Sequence, residues 1–268
     1  MQIASRQTVW GGAGRGTVIE VEMTPDTGLH IGFIYDLAAG RDVTIDWGDG
    51  TKTGRAYTAH LVEDGHTYAA YGRYRIVFDG VKDVNFRIYD GEEQYPYDDA
   101  IISFVDHSGL VDNARSGAFQ ESGNLERFIA PNCRDFGQRA FSYCPRLKEV
   151  VAPLGEFFYD GTFQGCRELE TLELVGGTMW SYVFAGCTKL REIRFSRVDQ
   201  ISTRCFGECP ALADVWIANK TIAQTMQTAP SGNIIGGYGE SFPWGANAST
   251  QFHCRDGIIL GNGTIING

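Results

Sequence analysis

The 268-residue sequence predicts a mainly β protein, a β-sandwich followed by a stacked β-solenoid with a hairpin cap. Three observations carry this. Phe119, Phe141, Phe163, Phe184 and Phe206 recur at intervals of 22, 22, 21 and 22 residues. The segments TVIEVEM (17–23), RDVTIDWGDGT (41–51) and GRYRIVF (72–78), upstream of that repeat, alternate apolar and polar residues, the period of a strand with one buried face. Downstream of the repeat, Asn262-Gly263 separates two apolar runs, which predicts a type I′ hairpin turn.

The N-terminal region, residues 1–90, has no 22-residue period. Its short alternating segments and Gly/Asp turns predict a sandwich. Asp46-Trp47-Gly48-Asp49-Gly50-Thr51 reads as a strand running into a tight turn, followed by His66-Thr67-Tyr68 and Gly72-Arg73-Tyr74. This W-G-D-G-T … H-T-Y-x-x-x-G-x-Y wording resembles the polycystic-kidney-disease (PKD) type domain over residues 15–90. The resemblance implies an immunoglobulin-like sandwich serving as a spacer or adhesive module. Trp47, Tyr68 and Tyr74 are expected to serve its core, and Gly48, Asp49 and Gly50 its turn. Asp46 and Asp49 invite a calcium-loop reading but lack the D-x-[DN]-x-[DN]-G spacing, so turn capping is the expected role. Gly12–Gly16 is glycine-rich, but alternating β-type residues follow it rather than a helix start, which disfavours a nucleotide loop.

Residues 91–112 are expected to form a connector and a first irregular coil, and 113–222 the repeats proper. Each unit carries further columns in register with its Phe. Three residues on stand Ser122, Cys144, Cys166, Cys187 and Cys209, and six on stand Leu125, Leu147, Leu169, Leu190 and Leu212. Apolar pairs follow at Phe128/Ala130, Val150/Ala152, Leu172/Leu174, Ile193/Phe195 and Val215/Ile217. One coil cannot bury such a row alone; stacked coils bury it as continuous columns. The expected repeat core is Phe141, Cys144, Leu147, Phe163, Cys166, Leu169, Phe184, Cys187, Leu190, Phe206, Cys209 and Leu212. These columns resemble the leucine-rich-repeat subfamily typified by BspA-like bacterial surface proteins, whose units read roughly A-F-x-x-C-x-x-L-x-x-I-x-L. The resemblance implies a right-handed solenoid with binding rather than enzymatic roles. The predicted fold is thus a PKD/Ig-like β-sandwich plus a leucine-rich-repeat solenoid with a β-hairpin cap over 223–268.

Seven cysteines, four of them in one column, raise the question of a metal site or disulfides. Zinc requires ligands converging on a point, commonly from C-x₂-C pairs, and the sequence has none. A column spreads its sulfurs along a line, so buried free thiols are expected. His253-Cys254 are neighbours on a strand and face opposite ways, which rules against a dyad. No G-x-S-x-G, H-E-x-x-H or P-loop is present, and the acidic pairs Glu92-Glu93 and Asp98-Asp99 read as solvated faces. No enzymatic activity, metal or cofactor is expected.

A net charge of −10 with no basic run argues against nucleic acid and anionic membrane surfaces as partners. No stretch approaches the roughly 18 apolar residues of a membrane span, so direct membrane insertion is not expected. The sequence shows no secretory signal. Strand alternation places Ile129, Val151, Glu173, Arg194 and Trp216 on one outward column. Because Phe158 and Met179 point inward, Phe157, Tyr159 and Trp180 point out on a second face. Exposed aromatics of this kind are favoured at protein contacts and stack on sugars. Two readings of these patches stand open: a contact surface for a protein or glycan partner, or burial under a bulge or the sandwich. The functional expectation is a non-catalytic recognition or adhesion protein, extracellular or at a bacterial cell surface. A phage or prophage attachment component, in a particle or the cytoplasm, is the alternative, and a polysaccharide-acting enzyme a weaker one.

Overall fold

The computed structural model describes residues 16–85, 98–202, 204–217, 219–226 and 244–267. The expectations placed on Gly12–Ala13–Gly14–Arg15 and on Glu92-Glu93 lie outside those residues. Among the described residues nearly all regular structure is β, with one short helix, α1 (Ile222–Met226), and a 3₁₀ turn at Asp98–Ala100.

The N-terminal part contributes β1 (Thr17–Met23), β2 (His30–Leu37), β3 (Val43–Asp46), β4 (Lys52–Arg55), β5 (Val62–Thr67), β6 (Gly72–Asp79) and β7 (Val81–Asn85). They fall in two sheets. One carries β1-β6-β3-β4 and the other β7-β2-β5. Phe33 of β2 meets Phe78 of β6 edge to face at 4.7 Å, and Trp47 lies 5.5 Å from Phe33, so the two layers share an aromatic core. The sequence signalled β1, β3 and β6 by alternation. β2, HIGFIYDL, escaped notice because Ile31, Gly32 and Phe33 are buried in succession.

β8 (Ile101–Asp106) pairs antiparallel with β1 on one side and parallel with β10 (Arg127–Ile129) on the other. β9 (Asn113–Ala114) pairs parallel with β7, which also pairs antiparallel with β2. Both sheets therefore run on, hydrogen-bonded, from the N-terminal strands into the walls of the solenoid, over one continuous buried apolar cluster. The walls are completed by β11 (Asp135–Phe136), β12 (Glu149–Val151), β13 (Phe157–Phe158), β14 (Thr171–Met179), β15 (Glu192–Ile201) and β16 (Asp214–Ile217). β14 and β15 each turn the corner and serve both walls.

The third side of each coil is a run of turns carrying the Phe column. Each Phe amide donates to the next coil: Phe119 to Ala140, Phe141 to Thr162, Phe163 to Val183 and Phe184 to Cys205, at 2.7–2.9 Å. The Phe rings stack in file with centroids 5.1–5.8 Å apart. Two left-handed residues flank the Phe of each coil. Gly117, Arg139, Gly161, Tyr182 and Arg204 stand two before it, and Glu121, Tyr143, Gly165, Gly186 and Glu208 two after. Only some of these are glycine, so the others hold a conformation disfavoured for L-residues.

The cap closes the last coil by imitating one. Phe206 donates to the Trp244 carbonyl, Asn247 Nδ2 to the Cys209 carbonyl and Thr250 Oγ1 to the Leu212 carbonyl. β17 (Gln251–Cys254) pairs parallel with β16, then antiparallel with β18 (Gly257–Leu260), which pairs with β19 (Ile265–Asn267). The hairpin exists, but its turn is not the expected type I′. Leu260 C=O accepts from Gly263 N–H, and Leu260 N–H donates to Thr264 C=O. Only Gly263 of the loop has positive φ, at 84°. This is a three-residue loop, a type I turn closed by a left-handed Gly.

One departure from uniform stacking matters. On the first wall the sheet order ends at β12, while β14 begins a run that continues through β15 to β19. No backbone ladder joins β12 to β14 there, although β13 and β14 pair normally on the second wall.

Candidate surface sites and the cysteine column

The cysteines answer the question their column raised. All seven are free thiols, six buried and Cys254 half-buried. Cys144, Cys166, Cys187 and Cys209 each direct Sγ at the carbonyl of the Phe one coil back: Phe119, Phe141, Phe163 and Phe184, at 2.9–3.1 Å. A small side chain with a weak donor fits a buried site that offers one carbonyl. Burial raises the Cys209 thiol up to about 12 and those of Cys166 and Cys187 well above the ordinary range. Phe141, Phe163, Phe184, Phe206, Leu147, Leu169, Leu190 and Leu212 are buried with them. Among the described residues no three metal-ligating side chains cluster.

In the N-terminal turn, Asp49 accepts from Thr51 N–H (2.9 Å) and Oγ1 (2.6 Å), and its other oxygen lies 2.7 Å from His66 Nε2. The Thr51 hydroxyl, its amide and His66 hold the Asp49 carboxyl at about 2. His66 stacks on buried Trp47, and Tyr68 donates to the Trp47 carbonyl. Tyr74, partly buried, stacks on Tyr68. Gly48 is at φ 82°, and a Cβ there would stand 2.7 Å from the Arg75 carbonyl. Gly50 is likewise left-handed at φ 94°. The carboxylates of Asp46 and Asp49 are engaged in turn and ion-pair contacts with Gly48, Lys52, Thr51 and His66.

The outward column of the first wall runs Ile129, Val151, then Glu173, Arg194 and Trp216 in register, and His253 of the cap continues it. Ile129 is half-buried and Val151 exposed. Trp216 is half-buried between two neighbours of its own column. The Arg194 guanidinium lies 4.6 Å over its ring, and His253 stacks on its other side at 3.9 Å and 9°. Asp214 Oδ1, 2.6 Å from His253 Nε2, fixes that imidazole. The cover over Trp216 is thus neither a bulge nor the sandwich. His253 was not foreseen because it lies beyond the repeat. Cys254, next to it, faces the other way, toward Thr225.

The second wall carries the aromatic patch. Phe158 and Met179 are fully buried, and Phe157, Tyr159 and Trp180 are 41, 39 and 46 % exposed. The Tyr159 and Trp180 rings stack at 6.0 Å and 13°. Next to Tyr159 opens a cavity of about 610 Å³ lined by Asn113, Arg115, Ser116, Asp135, Gly137 and Gln138. Asn113 Oδ1 is buried there and accepts no hydrogen bond among the described residues. Burial, then the nearby Asp112, raises the Asp135 carboxyl. Arg115 reaches back to Asp36 at 2.5 Å. The patch is therefore a pair of exposed parallel aromatic rings beside a cleft rich in amide, hydroxyl and charged groups.

Residues 106–228 match the BspA type leucine rich repeat region, in six copies. No curated protein matches the chain. Among solved structures, the crystal structure of the pneumococcal vaccine antigen PcpA is similar, with a TM-score of 0.42 and 14 % identity. That alignment covers 57 % of this chain and 36 % of the other, so the chain spans little more than a third of that protein.

Proposed function

We propose that this is a non-catalytic recognition protein whose solenoid presents a glycan-binding platform on its second wall. The observation that carries the reading is the stacked, exposed Tyr159–Trp180 pair beside a polar cleft. The exposed aromatic surface of the pair offers apolar contact to the C–H face of a pyranose. The cleft supplies directional partners from the Asn113, Ser116 and Gln138 side chains that line it. Phe157, exposed on the same wall, extends the platform.

The repeat family of residues 106–228 supports a contact role, and a bacterial cell surface is the location that suits it. The N-terminal strands act as a PKD-like spacer; the locked Trp47–His66–Tyr68 turn supports that reading. The protein engages its ligand with side chains fixed by stacking and backbone ladders, with little to reorganise on binding.

The test is a glycan array probed with wild type and Trp180→Ala. Trp180 is exposed and contributes little to the core, so the variant should fold. A glycan hit that falls by at least tenfold on this substitution supports the platform. A hit that persists unchanged places the binding elsewhere, and the absence of any hit against bacterial and host glycans refutes the reading.

A further inference from the structure

We propose that the break between β12 and β14 is a docking slot for an extended polypeptide segment of a partner, which adds itself as a strand between the second and third coils. The slot lies on the first wall, whereas the Tyr159–Trp180 platform lies on the second, so the two inferences stand independently.

Between the other coils the first wall is stitched. Glu149 donates to the Glu126 carbonyl and Ala130 to that of Val151. Arg191 donates to Glu170, Asp214 to Arg191 and Gln251 to Ala213. The equivalent bonds from Glu170 and Thr171 back to Lys148, and from Ala152 on to Glu173, are missing among the described residues. A cavity of about 670 Å³ occupies the place, lined along one side by Lys148–Pro153 and along the other by Thr171–Leu174. That volume lies within the range of ligand pockets.

Strand parity says which groups face it. The bonds of Glu149 and Val151 point back to β10, so the N–H and C=O of Val150 face the slot. Glu170 C=O points on to Arg191, so Leu172 faces β15 and the N–H and C=O of Thr171 and Glu173 face the slot. Two parallel edges thus present donors and acceptors to one space. Extended backbone satisfies both, whereas a sugar or a helix cannot follow the strand repeat on either side.

The slot falls where the corners change. The first two coils turn with Ala130-Pro131 and Ala152-Pro153, six residues from the inward Ala to Phe136 or Phe158. The third turns with Gly176-Gly177, five residues from Leu174 to Met179, and β14 slips register against β15 there.

The occupant follows from the neighbouring columns. Positions facing Val150/Leu172 and Ala152/Leu174 point inward and call for apolar side chains. The position between them points out beside Glu173 and suits Lys or Arg, which the net charge of −10 also attracts. The segment is therefore φ-(Lys/Arg)-φ, with φ apolar. Residues 192–197 of this chain, EIRFSR, have that form in β15. Val151 and Arg194, on the outward column, rim the slot.

The test uses a blocked peptide of residues 191–196, REIRFS, titrated into the intact chain. It is compared with a scrambled peptide and with one N-methylated at its Ile and Phe. Saturable binding of REIRFS alone is expected. Glu173→Pro deletes an N–H that faces the slot but spares the β15 ladder, a place where Pro is tolerated. It should weaken binding about tenfold or more, beyond the smaller loss from Glu173→Ala, which removes only the carboxylate beside the Lys/Arg position, while Trp180→Ala on the other wall keeps it. Should Glu173→Pro melt far below Glu173→Ala, hydrogen exchange on the wild type decides: the Val150, Thr171 and Glu173 amides slow on adding peptide if the slot is right. Equal binding of scrambled or N-methylated peptide, or unchanged exchange at these amides, overturns the proposal. So does a dimer of the chain that Glu173→Pro dissociates, since the occupant is then a second copy.

Discussion

Phe163→Ala is the sharpest probe of the stacked core. Phe163 is fully buried. Its ring lies parallel to Phe141 at 5.3 Å and to Phe184 at 5.7 Å, and tilts against Phe136 at 5.9 Å and Phe158 at 6.2 Å. Truncating a buried Phe costs about 3–5 kcal/mol. The site belongs at the upper end, about 4–5 kcal/mol, because the coils above and below are tied to it through Phe163 N–H, Cys187 Sγ and the ring stack and have little freedom to collapse into the cavity. Against a total stability of about 5–15 kcal/mol, that is a large fraction. With a urea m-value near 3 kcal/mol/M the midpoint should fall by about 1.5 M. Phe163→Leu keeps most of the apolar volume and should cost about 1.5 kcal/mol or less. Phe141→Ala and Phe163→Ala remove the same ring contact and should couple by more than 0.5 kcal/mol, whereas Phe206→Ala, two coils on, should add independently. Urea unfolding followed by circular dichroism and Trp fluorescence measures all of these. A loss below about 2 kcal/mol for Phe163→Ala, or no coupling with Phe141, refutes a close-packed ring column.

Two further outcomes follow from the thiols and the turn. At pH 8 a thiol reagent should label Cys254 first and the buried six only on the timescale of opening, since burial shields all six and holds the thiols of Cys133, Cys166, Cys187, Cys205 and Cys209 up; seven thiols should react at once in denaturant, and rapid native labelling of Cys187 contradicts the column. The Asp49 carboxyl, held at about 2 against an ordinary 3.8, contributes stability that is fully present above pH 4 and is lost as pH falls toward 2. Asp49→Asn should flatten that part of the acid unfolding curve, and an unaltered curve denies the Asp49–Thr51–His66 contacts their role.

The solenoid was legible because every coil spends the same residue types on the same inward positions, and a column such as Cys144, Cys166, Cys187, Cys209 shows in the letters. The outward sides of Phe157, Tyr159 and Trp180 followed from parity alone. What was not legible depends on backbone geometry or on distant chain. The left-handed positions beside each Phe are filled by Arg139, Tyr143, Tyr182, Arg204 and Glu208 as well as by Gly, so composition hides them. The cover on Trp216 comes from His253, past the end of the repeat. The continuity of the N-terminal sheets with the walls rests on β8 and β9, whose partners on one side are antiparallel or non-repeat strands. The break between β12 and β14 coincides with a corner shortened by one residue, a change visible in the spacing only once the corners themselves are known.

Residue-resolved amide hydrogen exchange on the free protein tests the architecture most directly. Coils stitched on the Phe side throughout and open at one place on the first wall predict slow exchange at Phe119, Phe141, Phe163 and Phe184, and at Arg191 and Asp214, with fast exchange at Val150, Thr171 and Glu173. Protection of those three equal to that of Arg191, or loop-like exchange at the Phe amides, contradicts it.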